Sequence, residues 1–163
     1  MMSNFRRSWS KVGERAILPQ KQALSNSYLF SAVAPLLGDS FHLIGFDDMN
    51  TDAEFIFLTE LKKQYLHKQV FVVIDNAPCH KPKILHSIDG LTIIYLPSYS
   101  PELNPTERFF EEIRKATANE IFENMKTIED RISYAVNKLS NNKESMRQLL
   151  GYDWIKRQFG EVR

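Results

Sequence analysis

The sequence predicts an α/β fold, a mixed sheet flanked by helices, on three observations. The runs "QVFVVID" (69–75) and "LTIIYLP" (91–97) are continuous and rich in β-branched residues, the composition of strands covered on both faces. Between them, "NAPCHKPKILHSIDG" is long enough for a loop and a short crossover helix, which makes the two strands parallel with a right-handed connection. Upstream, "NSYLFSAVAPLLG" (26–38) and "SFHLIGF" (40–46) are apolar and aromatic, and Gly38–Ser40 between them reads as the turn of a β-hairpin.

The remaining elements follow from periodicity and capping. In "TDAEFIFLTELKKQYLH" (51–67), Phe55, Leu58, Leu61, Lys62 and Tyr65 recur at helical intervals and predict a helix with one apolar face. Pro97, Pro101 and Pro105 enforce extended or turn geometry ahead of Asn104, which reads as a helix cap with Pro105 as the first helical residue. That helix is expected to run to about residue 119. Thr127, with Asp130 three residues on, predicts a further capped helix over 128–140. The tail "ESMRQLLGYDWIKRQFG" predicts a short helix and then an aromatic strap over the core. The order is ββαβαβαα.

With 163 residues, of which 43% are hydrophobic, the chain is the size of one domain, expected to span 1–163. One cysteine, Cys79, allows no internal disulfide and points to a reducing compartment. No apolar run approaches the roughly 20 residues that a bilayer requires, so a cytoplasmic protein without membrane contact is expected. The formal charge of +1 singles out no partner. It is unevenly spread: Arg6, Arg7, Lys11, Arg15 and Lys21 face only Glu14 over residues 1–22, with Phe5 and Trp9 among them. Such an arm suits phosphate contact, and it equally suits an ordinary solvated terminus.

Two carboxylates stand where chemistry is possible. Asp75 ends a predicted parallel strand, and ligands of open α/β sheets gather beyond the carboxyl ends of such strands. The competing reading is an Asx turn in Asp75-Asn76-Ala77-Pro78. Glu107 lies in "LPSYSPELNPTERFF" (96–110), where Asn104-Pro105-Thr106-Glu107 has the form of a capping box and Glu107 complements the helix dipole. The proline-stiffened loop after the second parallel strand returns the chain to the same sheet edge, so Asp75 and Glu107 are expected to converge. Converging oxygen ligands suit Mg²⁺ or Mn²⁺. Cys79 and His80, with His67 and His86 nearby, match no zinc spacing, and adjacent Cys and His do not make a nucleophile–base pair.

The segments "VVIDNAPCHKPK" and "IIYLPSYSPELNPTERFFEEIRK" together closely resemble the last two acidic motifs of DDE-type transposases. The likeness is to the mariner-like superfamily, in its bacterial insertion-sequence branch, the insertion sequence 630 family. Weaker similarity extends from "RRSWSKVGE" to "GYDWI". The resemblance implies a ribonuclease-H-like fold and metal-dependent DNA cleavage and strand transfer in transposition. It implies Asp75 and Glu107 as the second and third catalytic, metal-binding carboxylates. Asn76 and His80 become supporting or DNA-facing residues, and Asn104 fixes the helix that carries Glu107. Two Mg²⁺ or Mn²⁺ ions are implied in the complete enzyme, set roughly 4 Å apart. The implied partners are DNA, as transposon ends and target, and further copies of the transposase in a homo-oligomeric transpososome.

The sequence departs from that pattern at its start. Relatives carry the first catalytic aspartate on a strand ahead of Arg-Arg-x-Trp, but here Arg6, Arg7 and Trp9 have no aspartate before them, and the first acid is Glu14. Asp39, Asp47 and Asp48 do not match the motif. The expectation is therefore an N-terminally truncated catalytic domain lacking the first, central strand and the upstream helix-turn-helix domain. Two interior sheet edges then lose their partners. Such a chain acts after joining an upstream transposase fragment, for instance by frameshifting, or is inactive alone. The alternatives are a non-catalytic DNA-binding or assembly fragment and a decayed remnant.

Overall fold

A computed structural model describes residues 26–77, 80–120 and 122–159. The expected hairpin forms from β1 (Tyr28–Ala34) and β2 (Asp39–Phe46), which pair antiparallel. Its turn is Pro35–Gly38, earlier than the sequence suggests, and Asp39 and Ser40 already belong to β2. Gly38 is required there: its φ is +70°, and a Cβ would lie 2.2 Å from the Lys143 carbonyl oxygen. The Lys143 ammonium also pairs with Asp39 at 2.6 Å, tying the turn to the C-terminal helices.

The helix predicted after the hairpin forms. Asn50 caps α1 (Thr51–Lys63) by accepting from the Ala53 amide at 3.0 Å. At the other end, Lys62 donates to the carbonyls of Tyr65, Leu66 and Lys68 at 3.0, 3.2 and 3.1 Å and closes the turn into the next strand. Strands β3 (Val70–Ile74) and β4 (Leu91–Tyr95) pair in parallel, Val70 opposite Leu91 and Ile74 opposite Tyr95. The element between them is a 3₁₀ helix, Lys83–Ser87, rather than an α-helix. Pro82 stands at its N-cap with φ −59° and ψ 138°, so the chain enters it extended.

A second 3₁₀ turn, Pro101–Leu103, leads into α2 (Thr106–Ala116). Then come α3 (Met125–Ser140), α4 (Lys143–Leu150) and α5 (Asp153–Phe159). The cap of α3 is Asn124, which accepts from the Thr127 amide (2.9 Å) and hydroxyl (3.1 Å). Thr127 is thus inside the helix and not its cap. The expected aromatic strap is the helix α5, with Ile155 buried and Trp154 partly exposed.

The hairpin is the middle layer. Phe30, Phe41 and Leu43 face α1, where they join Phe57, Leu58 and Leu61 together with Leu85, Leu91 and Ile93. Leu29, Val33 and Ile44 face the opposite way, onto Phe109 and Ile113 of α2, Ile132 and Val136 of α3, and Met146 and Leu150 of α4. Alternation along β1 and β2 therefore supplies two cores from one hairpin.

The parallel pair differs from the sequence reading in its packing. Val72, Ile74, Leu91 and Ile93 pack toward α1, but Phe71 is 63% exposed and Val73 and Ile94 are exposed beside it. The described helices α2 to α4 cover the hairpin and not this face. Among the described residues, moreover, the strands form two separate two-stranded sheets, β1–β2 and β3–β4, with no strand between them. The predicted α/β architecture, small sheets flanked by helices, is thus present. No helix among the described residues is long and apolar enough to cross a membrane. The basic arm and Cys79 lie outside the described residues.

Candidate functional site

Asp75 directly follows β3, at the carboxyl end of the parallel pair. Its side chain is 62% exposed, and its Oδ1 accepts the Ala77 amide at 2.9 Å, so the Asx turn anticipated from the sequence is present. The neighbouring Asn76 donates through Nδ2 to the Leu96 carbonyl just past β4. The Leu96 amide donates to Ile74 at 2.8 Å. These two bonds clamp the strand ends together and hold the backbone on either side of Asp75.

His80 sits against this carboxylate, its Nε2 3.3 Å from Asp75 Oδ1. The Tyr95 hydroxyl donates to the His80 carbonyl at 2.6 Å and lies 3.1 Å from His86 Nε2, so β4 braces the loop that carries the ring. His86 is thus held against β4 by Tyr95. The other ring nitrogen of His80, Nδ1, lies 3.6 Å from Glu54 of α1. Glu54 is only 3% exposed, among Ala53, Phe57, Leu58 and Leu61. Burial, with the charge of Asp75 adding to it, pushes the Glu54 carboxyl up to about 7. Burial lowers the pKa of His80, and the charge of Asp75 opposes that shift.

Glu54 is the residue the sequence reading passed over. The signal was present: Glu54 falls one turn before Leu58 and two before Leu61, on the apolar stripe itself. A carboxylate in that stripe is a buried polar group that needs a partner.

Glu107 occupies the first turn of α2, as its proline-bounded position predicts. The capping box itself does not form. The Asn104 amide donates to the Pro101 carbonyl at 3.0 Å, while the Asn104 side chain accepts from the Thr106 amide at 3.1 Å. Asn104 thus fixes the start of the helix, and the Glu107 carboxylate has no part in the cap. That carboxylate is 48% exposed and lies 3.9 Å from the Arg114 guanidinium. It lines an open cleft of about 410 Å³ with Arg108, Glu111 and Tyr152. Arg108 and Tyr152 also line a neighbouring cleft of about 600 Å³ that includes Trp154 and Arg157. The Arg108 guanidinium lies 3.7 Å from the centre of the Tyr152 ring.

The structure thus gathers Asp75, Asn76, His80 and Glu54 around the end of β3, and places Glu107 and Asn104 at the start of α2. Among the described residues, no three His, Cys, Asp or Glu side chains converge to hold a metal. The donor chemistry nevertheless suits a hard divalent cation: Asp75 and Glu107 are exposed carboxylates, and Mg²⁺ takes one or two such ligands, completing its shell with water and phosphate.

Comparison with known proteins decides the family. Residues 2–129 match the family model described as DDE superfamily endonuclease. The chain belongs to the DDE endonuclease superfamily. A relative in Sinorhizobium fredii (strain NBRC 101917 / NGR234), the uncharacterized protein y4pE/y4sA, is 28% identical over 133 residues, covering 80% of this DDE endonuclease chain and 98% of the relative. A solved structure, the Mos1 transposase paired-end complex with left transposon end, is similar over 92% of this chain with a TM-score of 0.57 and 15% identity. The chain spans about half of that transposase, 52% of its length. The likeness extends the family assignment to the fold: this DDE chain shares the α/β architecture of a transposase.

Proposed function

We propose that this chain is the single catalytic domain of a cytoplasmic, mariner-like transposase of the insertion sequence 630 branch. Its reaction is the cutting and joining of DNA, with Asp75 and Glu107 as two of the three catalytic carboxylates. The observation that carries this reading is the placement of Asp75, exposed at the carboxyl end of the parallel pair and held by the Ala77 amide, the Asn76 clamp and His80. Asn104 supports it from the other side by fixing the turn from which Glu107 projects.

The two carboxylates would hold Mg²⁺ or Mn²⁺, two ions in the complete enzyme. Such ions, when bound, stabilise charge on the attacking and leaving oxygens of a phosphodiester. The protein's own part is electrostatic and positional. Asp75 and Glu107 present negative charge to the cations, and Arg108, Arg114 and Arg157 line the adjoining clefts where DNA phosphates are attracted. DNA is thus the partner, as transposon ends and target, within a homo-oligomeric transpososome.

The third carboxylate comes, in this reading, from a strand on an upstream transposase fragment that seats between the hairpin and the parallel pair. Among the described residues the two sheets are not joined, which supports that seat. Nicking of supercoiled plasmid in Mn²⁺ tests the proposal. The purified chain alone should be inactive, and addition of an upstream polypeptide bearing the aspartate strand should restore nicking. Asp75→Ala or Glu107→Ala should then lower the rate by at least about a thousandfold, as expected for loss of a metal-bridging ligand in two-metal chemistry. Nicking that survives Asp75→Ala would overturn it.

A second reading is a non-catalytic DNA-binding or assembly fragment. It predicts DNA retention that is unchanged by divalent ions and by either substitution.

A further inference from the structure

Glu54 carries a question that the reading of Asp75 and Glu107 leaves open. A carboxyl group that is 3% exposed in an apolar helix face is unfavourable to bury, and a leucine or methionine there would add to the core instead. The surroundings supply ionisable neighbours in one direction. Glu54 Oε2 is 3.6 Å from His80 Nδ1, and the far side of the same ring reaches Asp75 Oδ1 at 3.3 Å. The imidazole therefore stands between an acid rooted in α1 and an acid at the end of β3, and its side chain is only 15% exposed. Asp75, by contrast, is mostly solvated and hangs from a loop, so it owes its direction to what touches it: the Ala77 amide and the His80 ring.

We propose that Glu54 is a positioning residue, which acts through His80 to hold the Asp75 carboxylate in one orientation at the end of β3. The role rests on the reading of Asp75 as a metal ligand, and it makes α1 part of the site. Side chains that orient a ligand without touching the metal commonly change its affinity by 10- to 100-fold. A purely structural Glu54 would have no such reach, because α1 already packs through Phe57, Leu58 and Leu61.

The test compares Glu54→Met, Glu54→Gln and His80→Ala in the full chain by NMR and Mn²⁺ titration. Without metal, the Ala77 amide and the Asp75 carboxyl carbon report the orientation of Asp75. Glu54→Met and His80→Ala should shift both signals alike, and the double variant should shift them no further. Glu54→Gln, which keeps a polar side chain of the same length beside the ring, should shift them less. With Mn²⁺, the two single variants and the double variant should each weaken binding by about tenfold. Unchanged apo signals in Glu54→Met, or additive effects in the double variant, overturn the inference. If the wild-type chain shows no Mn²⁺ binding sensitive to Asp75→Ala, the metal reading fails, and the apo signals alone still decide whether Glu54 positions Asp75.

Discussion

Replacing Phe109 by alanine destabilises the chain by about 3–5 kcal/mol and lowers its melting temperature by roughly 10 °C. Phe109 is fully buried, at the centre of the core formed by α2, α3, α4 and the outer face of the hairpin. Its ring stacks on His42 of β2, centroids 4.7 Å apart and planes within 13°. Truncation opens a cavity between elements that α3 and α4 hold in place, so little of the lost contact is recovered by collapse. The loss reaches the site as well. Phe109 and Ile113 form the buried face of α2, and the same helix presents Glu107 two residues before Phe109. Phe109→Leu, which keeps most of the volume, should cost no more than about 1.5 kcal/mol. Urea unfolding of the three proteins gives both values. Equal midpoints for Phe109→Ala and the parent chain would show that α2 does not dock through this face.

The second large effect is a change in how stability depends on pH when Glu54 becomes glutamine. Two buried groups pull in opposite directions. His42, bonded to Ser31 at 2.9 Å and Ser140 at 3.1 Å, is kept neutral by burial, its pKa lowered from 6.5 to about 4. The unfolded chain therefore takes up a proton between pH 6.5 and 4 that the folded chain refuses, and the stabilisation by neutral His42 is complete above pH 6.5 and lost towards pH 4. Glu54 runs the other way. Its pKa rises from 4.5 to about 7 on folding, so its stabilisation is complete below pH 4.5 and lost as the pH rises through 7. Each shift is worth up to about 3 kcal/mol, and between pH 4.5 and 6.5 the two slopes largely cancel. Glu54→Gln removes one of them. The variant should exceed the parent by about 2–3 kcal/mol at pH 8 and converge with it below pH 4.5, in denaturant titrations at each pH. A variant weaker than the parent at pH 8 would show that ionised Glu54 is well paired.

How far the sequence announces this molecule depends on which interactions are local. The parallel strands and the hairpin are legible because β-branched runs at Val70–Ile74 and Leu91–Tyr95, and apolar, aromatic-rich runs on either side of Gly38, are properties of neighbouring residues. Pro105 and Asn104 likewise locate the start of α2, and with it Glu107. Caps are harder: Thr127-x-x-Asp130 reads as one in the sequence, but the Thr127 amide is itself taken by Asn124. The exposed face of Phe71 and Val73 could not be read, because a β-branched run specifies a strand and not what covers it. Glu54 escaped for a related reason: its partner His80 comes from a distant loop, and the periodic count over Phe55, Leu58 and Leu61 passed over a charge in the stripe.

The proposed chemistry requires Asp75 and Glu107 to serve one divalent cation. Paramagnetic broadening by Mn²⁺ in the isotope-labelled chain tests this without any need for activity. At low Mn²⁺ the amides of Ala77 and of Thr106 to Arg108 should broaden together, and Asp75→Ala or Glu107→Ala should each abolish the broadening at both places. Broadening at one place only, or at both but unaffected by the distant substitution, would mean the two acids hold no common ion.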